Sequence, residues 1–263
     1  MRKWRYMGEQ VLDHGYVNLI ETWGSDERII EAARMSTDKG FLGWGPMHTK
    51  DCPRRLFLNG EGPRVGMCSC KEPGDEKLLK YLYKHHHTTP FEMAGATFEI
   101  QAPIFVFREW HRHRTQSYNE MSARYIPLPD VNYVPTIQRI IDGANSIANK
   151  QAVGTVPLSP FDVTEWLDDL PAVYAELERC YQKALAAGVP KEIARLIIPV
   201  GRYSRMRASA NLLNWIRFLR LRAAPNAQWE IRQYAEKVSV MLETKFPRTM
   251  HLFLEEQEDA GRN

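Results

Sequence analysis

GATFEIQAPIFVFREWHRHR, residues 95–114, joins two kinds of secondary structure in one stretch. Its first eight residues alternate small or apolar side chains with polar ones, as in a β-strand with one buried face. Pro103 then suits the first turn of a helix, because that position needs no backbone N–H and accepts the fixed φ of proline. The apolar spacing beyond it predicts a helix over 104–114. A strand that runs directly into a helix indicates a mixed fold.

Both patterns recur along the chain. YVNLIETW at 16–23 predicts a strand, and Ser25 with Asp26 can cap the helix ERIIEAARM. Further helices are predicted over 75–86, from the N-cap Ser159 to about 187, and in KEIARLII, NLLNWIRFLRLR and AQWEIRQYAEKVSVMLETKF. We therefore expect an α+β fold: a single domain over 1–263 with a central, mostly antiparallel sheet and a helix-rich C-terminal half.

Composition predicts a folded, soluble protein. The chain has 263 residues, of which 44% are hydrophobic and 25% charged, as in ordinary globular proteins. Apolar runs such as LIIPV at 196–200 are far shorter than the roughly 20 residues of a membrane span. The basic N-terminus leads into no signal-peptide core, so a cytoplasmic location is expected. A net charge of only +3 does not predict whole-surface attraction to nucleic acid.

Residues 37–74 form an expected irregular insertion. They include seven glycines, four prolines and three cysteines, a composition that favours a long loop over a hidden element. His48, Cys52, Cys68 and Cys70 are metal-ligand types, but their spacing matches no well-defined zinc motif. A structural zinc stays open as an alternative, and we expect no metal.

Arginines concentrate in two places. Arg112, Arg114 and Arg124 flank small polar residues, and residues 202–222 contain six arginines with no acid. Such clusters indicate a bound anion or carboxylates that arrive from elsewhere, and the planar guanidinium suits phosphate. A solvated helix face is the alternative. Five nearby aromatic residues could stack on a flat ring, although core packing is their default role: Trp110, Tyr118, Tyr125, Trp215 and Trp229.

Two common site types are disfavoured. GEGPRVG at 60–66 neither follows a strand nor opens a helix, so a dinucleotide-binding glycine loop is rejected. An S-adenosylmethionine-dependent methyltransferase is disfavoured, because the sequence has no glycine-rich strand-to-helix turn. Ser117 and Ser122 lie near His113 in sequence, but no nucleophile elbow surrounds either serine. We expect both hydroxyls to cap the backbone or to bind a ligand.

RHRTQSYNEMSAR, residues 112–124, resembles the signature of flavin-dependent thymidylate synthases, with Arg-His-Arg followed by Ser, Asn-Glu, Ser and Arg at set steps. Collinear segments resemble the same family: AARMS at 32–36, HTTPFEM at 87–93, GVPKEIARLIIP at 188–199 and LRLRAAPNAQWEIR at 219–232. The resemblance implies a homotetramer that makes dTMP from dUMP. The one-carbon unit would come from methylenetetrahydrofolate, and the hydride from NADPH through FAD, with no covalent protein nucleophile.

The resemblance also implies residue roles. Flavin contacts would come from Arg112, His113, Arg114, Asn119 and Glu120. Ser36, Thr89 and Asn211 would join them from other parts of the tetramer, so that each FAD site is shared between subunits. The dUMP contacts would come from Arg112, Glu120, Ser122, Ala123, Arg124, Arg195 and Arg222. Arg222 is the expected catalytic group, because it would polarise the pyrimidine. His87 would lie at the folate or nicotinamide face.

Four positions depart from the family pattern. Many relatives carry Gln at 109, Arg at 213, Asn or His at 217 and His at 226, where this chain has Glu109, Leu213, Arg217 and Asn226. Glu109 near a phosphate would be unfavourable unless it pairs with Arg108 or Arg112. A catalytically retired family member is therefore one alternative, and a protein that binds single-stranded nucleic acid is another.

Overall fold

The computed structural model describes residues 8–44, 74–146, 151, 154 and 156–261. Over these residues five strands form one antiparallel sheet in the order β1-β2-β3-β5-β4. The strands are β1 (Glu9–Val11), β2 (Gly15–Trp23), β3 (Gly95–Pro103), β4 (Ser117–Glu120) and β5 (Tyr203–Asn211). The predicted α+β class is confirmed.

Helices dominate the C-terminal half, as predicted. They are α1 (Asp26–Arg34), α2 (Asp75–Lys84), α3 (Ile104–Trp110), α4 (Ile137–Ala144), α5 (Pro160–Ala186), α6 (Lys191–Ala194), α7 (Leu212–Arg222), α8 (Trp229–Lys245) and α9 (Pro247–Gly261). At the start of α5, Ser159 Oγ accepts the amide hydrogen of Asp162 at 3.4 Å. In the described part of the chain we find no helix long and apolar enough for a bilayer crossing.

Several boundaries differ from the sequence-based expectation. The helix predicted over 104–114 ends at Trp110, and Pro103 is its N-cap rather than its first residue. Strands β1, β4 and β5 and helices α4 and α9 were not predicted. In β5, three of the five buried positions carry small side chains, Ser204, Ala208 and Ala210, which give a weak hydrophobic signal.

The described residues fall into two compact units. The first draws on residues 8–22, 96–210 and 214–241, and the second on 23–95, 211–213 and 242–261. The proposed insertion is irregular over residues 38–44, and the remainder from 45 to 73 lies outside the described residues, as do His48, Cys52, Cys68 and Cys70. One domain over 1–263 stays a prediction.

Aromatic side chains form the centre of the first unit. Trp110 and Trp215 are fully buried, and the Trp110 ring stacks on Phe218 with ring centroids 4.5 Å apart. Trp215 meets Phe98 edge-on, and its Nε1 donates to the backbone carbonyl of Ala96 at 2.9 Å. The default core role is thus confirmed for both tryptophans. It is wrong for Tyr125, which is 73% exposed.

In the second unit, a buried carboxylate caps a helix that is distant in sequence. Asp26, the first residue of α1, accepts hydrogen bonds from the amides of Arg248 and Thr249 at 2.8 and 3.2 Å. Thr249 Oγ1 donates to the same carboxylate at 2.6 Å. These amides belong to the first turn of α9, where helical N–H groups have no partner within the helix. Asp26 therefore joins α1 to α9.

Replacing Asp26 by alanine should destabilise the protein by about 2 kcal/mol, because the α9 amides and a buried hydroxyl lose their acceptor. Urea unfolding of the two proteins measures this difference. Asp162→Ala is the matched control, since Asp162 is an exposed residue in the first turn of α5. Equal stability of the Asp26 and Asp162 variants would contradict the capping role.

Candidate active site

The signature residues occupy a turn and an edge strand of the first unit. After α3 ends at Trp110, residues 111–116 turn, and β4 then pairs antiparallel with β5, with Asn119 opposite Arg207. The turn is fixed by its own side chains. Tyr118 Oη donates to the carbonyl of His113 at 2.7 Å, and Trp110 Nε1 donates to Gln116 Oε1 at 3.1 Å. These hydrogen bonds hold the small polar residues of the turn next to the edge strand β4.

Arg222, the last residue of α7, is held by three hydrogen bonds. Its Nη1 donates to the Glu109 carboxylate at 2.6 Å, and its Nη2 donates to the Glu109 backbone carbonyl at 2.9 Å. Its Nε donates to His113 Nε2, also at 2.9 Å. The Arg222 side chain is 16% exposed and that of Glu109 is 43% exposed, so the ion pair is partly withdrawn from water. The guanidinium is fixed in position.

A cavity of about 470 Å³ opens beside Arg222. Its lining combines charged and amide side chains with one alanine: Glu109, Arg139, Gln151, Arg222, Asn226, Ala227 and Gln228. Amides both donate and accept hydrogen bonds, and guanidinium groups donate in a planar fork. This set can bind the ring edge of a polar heterocycle.

His113 is neutral in this environment. Burial, with the adjacent Arg222 guanidinium, lowers its pKa from 6.5 to about 4, and the Glu109 carboxylate opposes this only in part. A neutral ring also agrees with the geometry, because His113 Nε2 accepts a hydrogen bond from Arg222 and so carries no proton. The remaining ring nitrogen, Nδ1, is then the N–H donor.

The pKa of His113 should therefore be about 4 in an NMR titration of the folded protein. Between about 6.5 and about 4, the unfolded state binds a proton that the folded state refuses, so this group lowers folding stability as the pH falls through that window. Above the window it has no effect. A titration midpoint near 6.5 would show that Arg222 does not donate to this ring.

Several arginines of the second cluster have carboxylate partners from elsewhere in the first unit. Arg207 lies 3.2 Å from Glu99, and the buried Arg202 lies 2.7 Å from Glu178 and 3.2 Å from Asp130. Arg222 pairs with Glu109 as described. For these three arginines, the alternative of partner carboxylates is confirmed. Arg202 has a structural role in the core, because its side chain is only 1% exposed.

A second group of predicted dUMP residues lies around the turn after β4. Ser122 Oγ accepts the amide hydrogen of Arg124 at 3.3 Å, which shapes the turn. The Arg124 guanidinium lies 3.4 Å from Glu192 of α6, and Arg195 follows in the next, exposed turn. Ala123 is buried. The contacts that define this group are separate from those around Arg222.

The second unit carries the remaining predicted residues. Ser36 lies in a 3₁₀ turn after α1, and Thr89 begins another 3₁₀ turn after α2. Both are exposed, as is His87, whose ring centroid is 5.6 Å from that of Tyr81. Asn211 ends β5. These polar groups are accessible to a ligand.

The residues of the signature turn fit the phosphates of a flavin dinucleotide. Arg112 and Arg114 are exposed, and within the described part of the chain neither guanidinium has a carboxylate partner. Two adjacent cations of this kind suit a pyrophosphate. Leu213 is buried rather than directed to a ligand, and exposed Arg217 donates to Asn214 at 3.2 Å. The donor set thus supports the predicted cofactor class without residue 213.

Two features of the site were missed. Glu109 was expected to pair with Arg108 or Arg112, but it pairs with Arg222, which is 113 positions away in sequence. Arg139 of α4 was not considered, although it lines the cavity and makes a bidentate ion pair with Glu230 at 2.8 and 3.2 Å. The unexpected acid at 109 was one sequence signal, and the helical spacing of Ile137, Ile140 and Ile141 around Arg139 was another.

Comparison with known proteins gives consistent similarities. A family described as thymidylate synthase complementing protein matches residues 18–248. A flavin-dependent thymidylate synthase of Thermotoga neapolitana is 35% identical over 244 residues, which cover 93% of both chains. A flavin-dependent thymidylate synthase of Thermus thermophilus is 36% identical over 245 residues, covering 93% of this chain and 77% of the relative.

A solved structure is also similar. The UMP/dUMP methylase PolB from Streptomyces cacaoi, bound with 5-Br dUMP, superposes with a TM-score of 0.71 and 28% sequence identity. The superposition covers 94% of this chain and 97% of PolB. The family match extends over most of the chain and includes the signature turn, α6, α7 and α8. The chain belongs to the flavin-dependent thymidylate synthase family.

Proposed function

We propose that this protein makes dTMP from dUMP, with methylenetetrahydrofolate as the one-carbon donor and NADPH as the reductant. The observation that carries the proposal is the Arg222 guanidinium, fixed by Glu109 and His113 at the wall of a cavity lined by amides. Family membership supplies the reaction class, and the site supplies groups that match a pyrimidine. UMP is a second acceptor to test, because PolB is a methylase of both UMP and dUMP.

Arg222 acts on the pyrimidine through its free donors. A guanidinium has five N–H groups, and three of those of Arg222 make the described hydrogen bonds. The two that are left can donate to a uracil carbonyl oxygen. Negative charge grows on that oxygen as the ring gains enolate character, which makes C5 nucleophilic toward the methylene carbon. A pre-fixed cation therefore stabilises this charged state more than neutral dUMP.

Other groups of the chain bind and orient the ligands. Arg112 and Arg114 would hold the flavin phosphates, with His113, Asn119 and Glu120 as further flavin contacts. Ser36, Thr89 and Asn211 would reach the flavin from other parts of the tetramer. Arg112, Glu120, Ser122, Ala123, Arg124 and Arg195 would bind dUMP with Arg222, and His87 would lie at the folate or nicotinamide face. FAD, when bound, supplies the hydride that it takes from NADPH. The homotetramer and the cytoplasmic location stay predictions.

No side chain of the protein need attack the pyrimidine. Ser122 Oγ already accepts a backbone hydrogen bond in its turn, a structural and ligand-binding role. Ser122→Ala should therefore lower activity by only about tenfold, the loss of one hydrogen bond. Loss of a nucleophile would instead cost about 10⁴-fold or more. Initial rates decide between the two, and complete inactivity with dUMP still bound would revive a serine nucleophile.

An absorbance spectrum tests the cofactor part of the proposal. The purified protein should show the two flavin bands, or gain them after reconstitution with FAD. Anaerobic NADPH should bleach the bands, and dUMP should change the rate of bleaching because both ligands contact the signature turn. A protein that binds no flavin under any of these conditions would refute the proposal and favour nucleic acid as the anion.

A further inference from the structure

Glu109 contacts Arg222 through both its side chain and its backbone. The carboxylate accepts from Nη1 at 2.6 Å and the carbonyl oxygen accepts from Nη2 at 2.9 Å. Glu109 is the penultimate residue of α3, and Arg222 ends α7, so the pair joins the ends of two helices. An arginine side chain loses much rotamer freedom when it is held in one conformation. The two acceptor oxygens of Glu109 hold the Arg222 guanidinium in this way.

The same pair changes the charge of the cavity. Arg222 and Arg139 are its cationic lining residues, and each already has a carboxylate partner, Glu109 and Glu230 respectively. Glu230 is buried, whereas the Glu109 side chain is 43% exposed and lines the cavity itself. A nucleotide that enters would therefore meet the Glu109 charge directly. That charge opposes the binding of a phosphate.

We infer that Glu109 is the positioning residue of Arg222: it holds the guanidinium against the cavity, and its charge limits how tightly an anionic nucleotide binds there. The effect of the Glu109 charge on nucleotide binding rests on the proposed function. The positioning of Arg222 by Glu109 does not depend on it. The two consequences are separable, because glutamine keeps an acceptor oxygen at the same place and removes only the charge, whereas alanine removes both.

The test compares E109Q and E109A in the FAD-loaded protein, with dUMP binding by calorimetry and steady-state kinetics. E109Q should bind dUMP about three- to tenfold more tightly, from loss of one repulsive charge, with kcat within about threefold of the wild type. E109A should lose about tenfold or more in kcat, because Arg222 is no longer held. E176Q is the matched control, since Glu176 and Arg179 also lie 2.6 Å apart, but outside the cavity lining.

A second readout needs no substrate. His113 faces Arg222, Glu109 and the ring of Phe218, and the Arg222 guanidinium helps to keep the pKa of His113 low. In E109Q, the arginine stays in place and the opposing negative charge is gone, so the pKa of His113 should be as low as in the wild type or lower. In E109A, the arginine moves away, and the pKa should rise toward 6.5. NMR titration of the three proteins measures this.

If Glu109 positions Arg222, the pKa of His113 should rise in E109A and should stay equal or fall in E109Q. If the His113 pKa and kcat of E109A equal those of E109Q, Glu109 does not position Arg222 and the inference fails. Unchanged dUMP affinity in E109Q would overturn the charge effect. A wild-type protein that binds no dUMP would instead refute the proposed function, while the histidine titration would still decide the positioning role.

Discussion

Arg222→Ala should lower kcat for dTMP formation by about 10²- to 10³-fold, the cost of removing one pre-fixed donor from a developing oxyanion. The fold should survive, because Arg222 lies at the end of α7 and its contacts are with a half-exposed acid and a histidine. Initial rates at saturating dUMP measure the chemical step. Flavin content and the urea midpoint of the same sample show whether the protein is folded.

Arg179→Ala is the matched control for this experiment. Arg179 also forms an ion pair, with Glu176 on the same turn of α5, but it is exposed and lines no part of the cavity. The control should keep wild-type kcat. An Arg222 variant with wild-type kcat and KM would remove Arg222 from the site and would leave the cavity without its catalytic group.

Arg202→Ala should destabilise the protein by about 3–5 kcal/mol, the cost of breaking a buried ion pair from one side. The Arg202 side chain is 1% exposed and donates to Glu178 at 2.7 Å and to the carbonyl of Pro129 at 3.1 Å. Removal leaves the Glu178 carboxylate, itself 15% exposed, without its cation. Urea unfolding measures the loss.

Arg179→Ala again provides the comparison, because it breaks an ion pair in water. Its urea midpoint should equal that of the wild type. If Arg202→Ala is as stable as Arg179→Ala, the buried arginine is not structural. Arg202 would then be a candidate for binding an anion.

Local patterns were sufficient to predict much of the fold. The alternation in residues 95–102 and the cap at Ser159 depend on neighbours in sequence, and β3 and α5 lie where these signals placed them. Strand β5 also alternates, but its buried positions carry Ser204, Met206 and two alanines, and its outward ones carry arginines. Such a strand is stabilised by its place between β3 and β4, which no local pattern reports.

The site was predictable in its composition but not in its internal contacts. A motif of fixed spacing identified Arg112 to Arg124, and collinear segments identified Arg222 as the catalytic candidate. The ion pair from Arg222 to Glu109 depends on how α3 and α7 pack, and the wrong partner was therefore expected for Glu109. Arg139 contributes through α4, whose apolar residues Ile137, Ile140, Ile141 and Ala144 follow helical spacing, so this helix was predictable from the sequence but was not recognised.

The central claim is the conversion of dUMP to dTMP. The most direct test is to incubate the purified, FAD-loaded protein with dUMP, methylenetetrahydrofolate and NADPH, and to identify the nucleotide product by mass spectrometry, with UMP in a parallel reaction. The expected product carries one additional CH₂ on the pyrimidine and disappears when NADPH or the folate is omitted. Unchanged dUMP in the complete reaction, with flavin demonstrably bound, would contradict the account and indicate a family member that no longer catalyses the reaction.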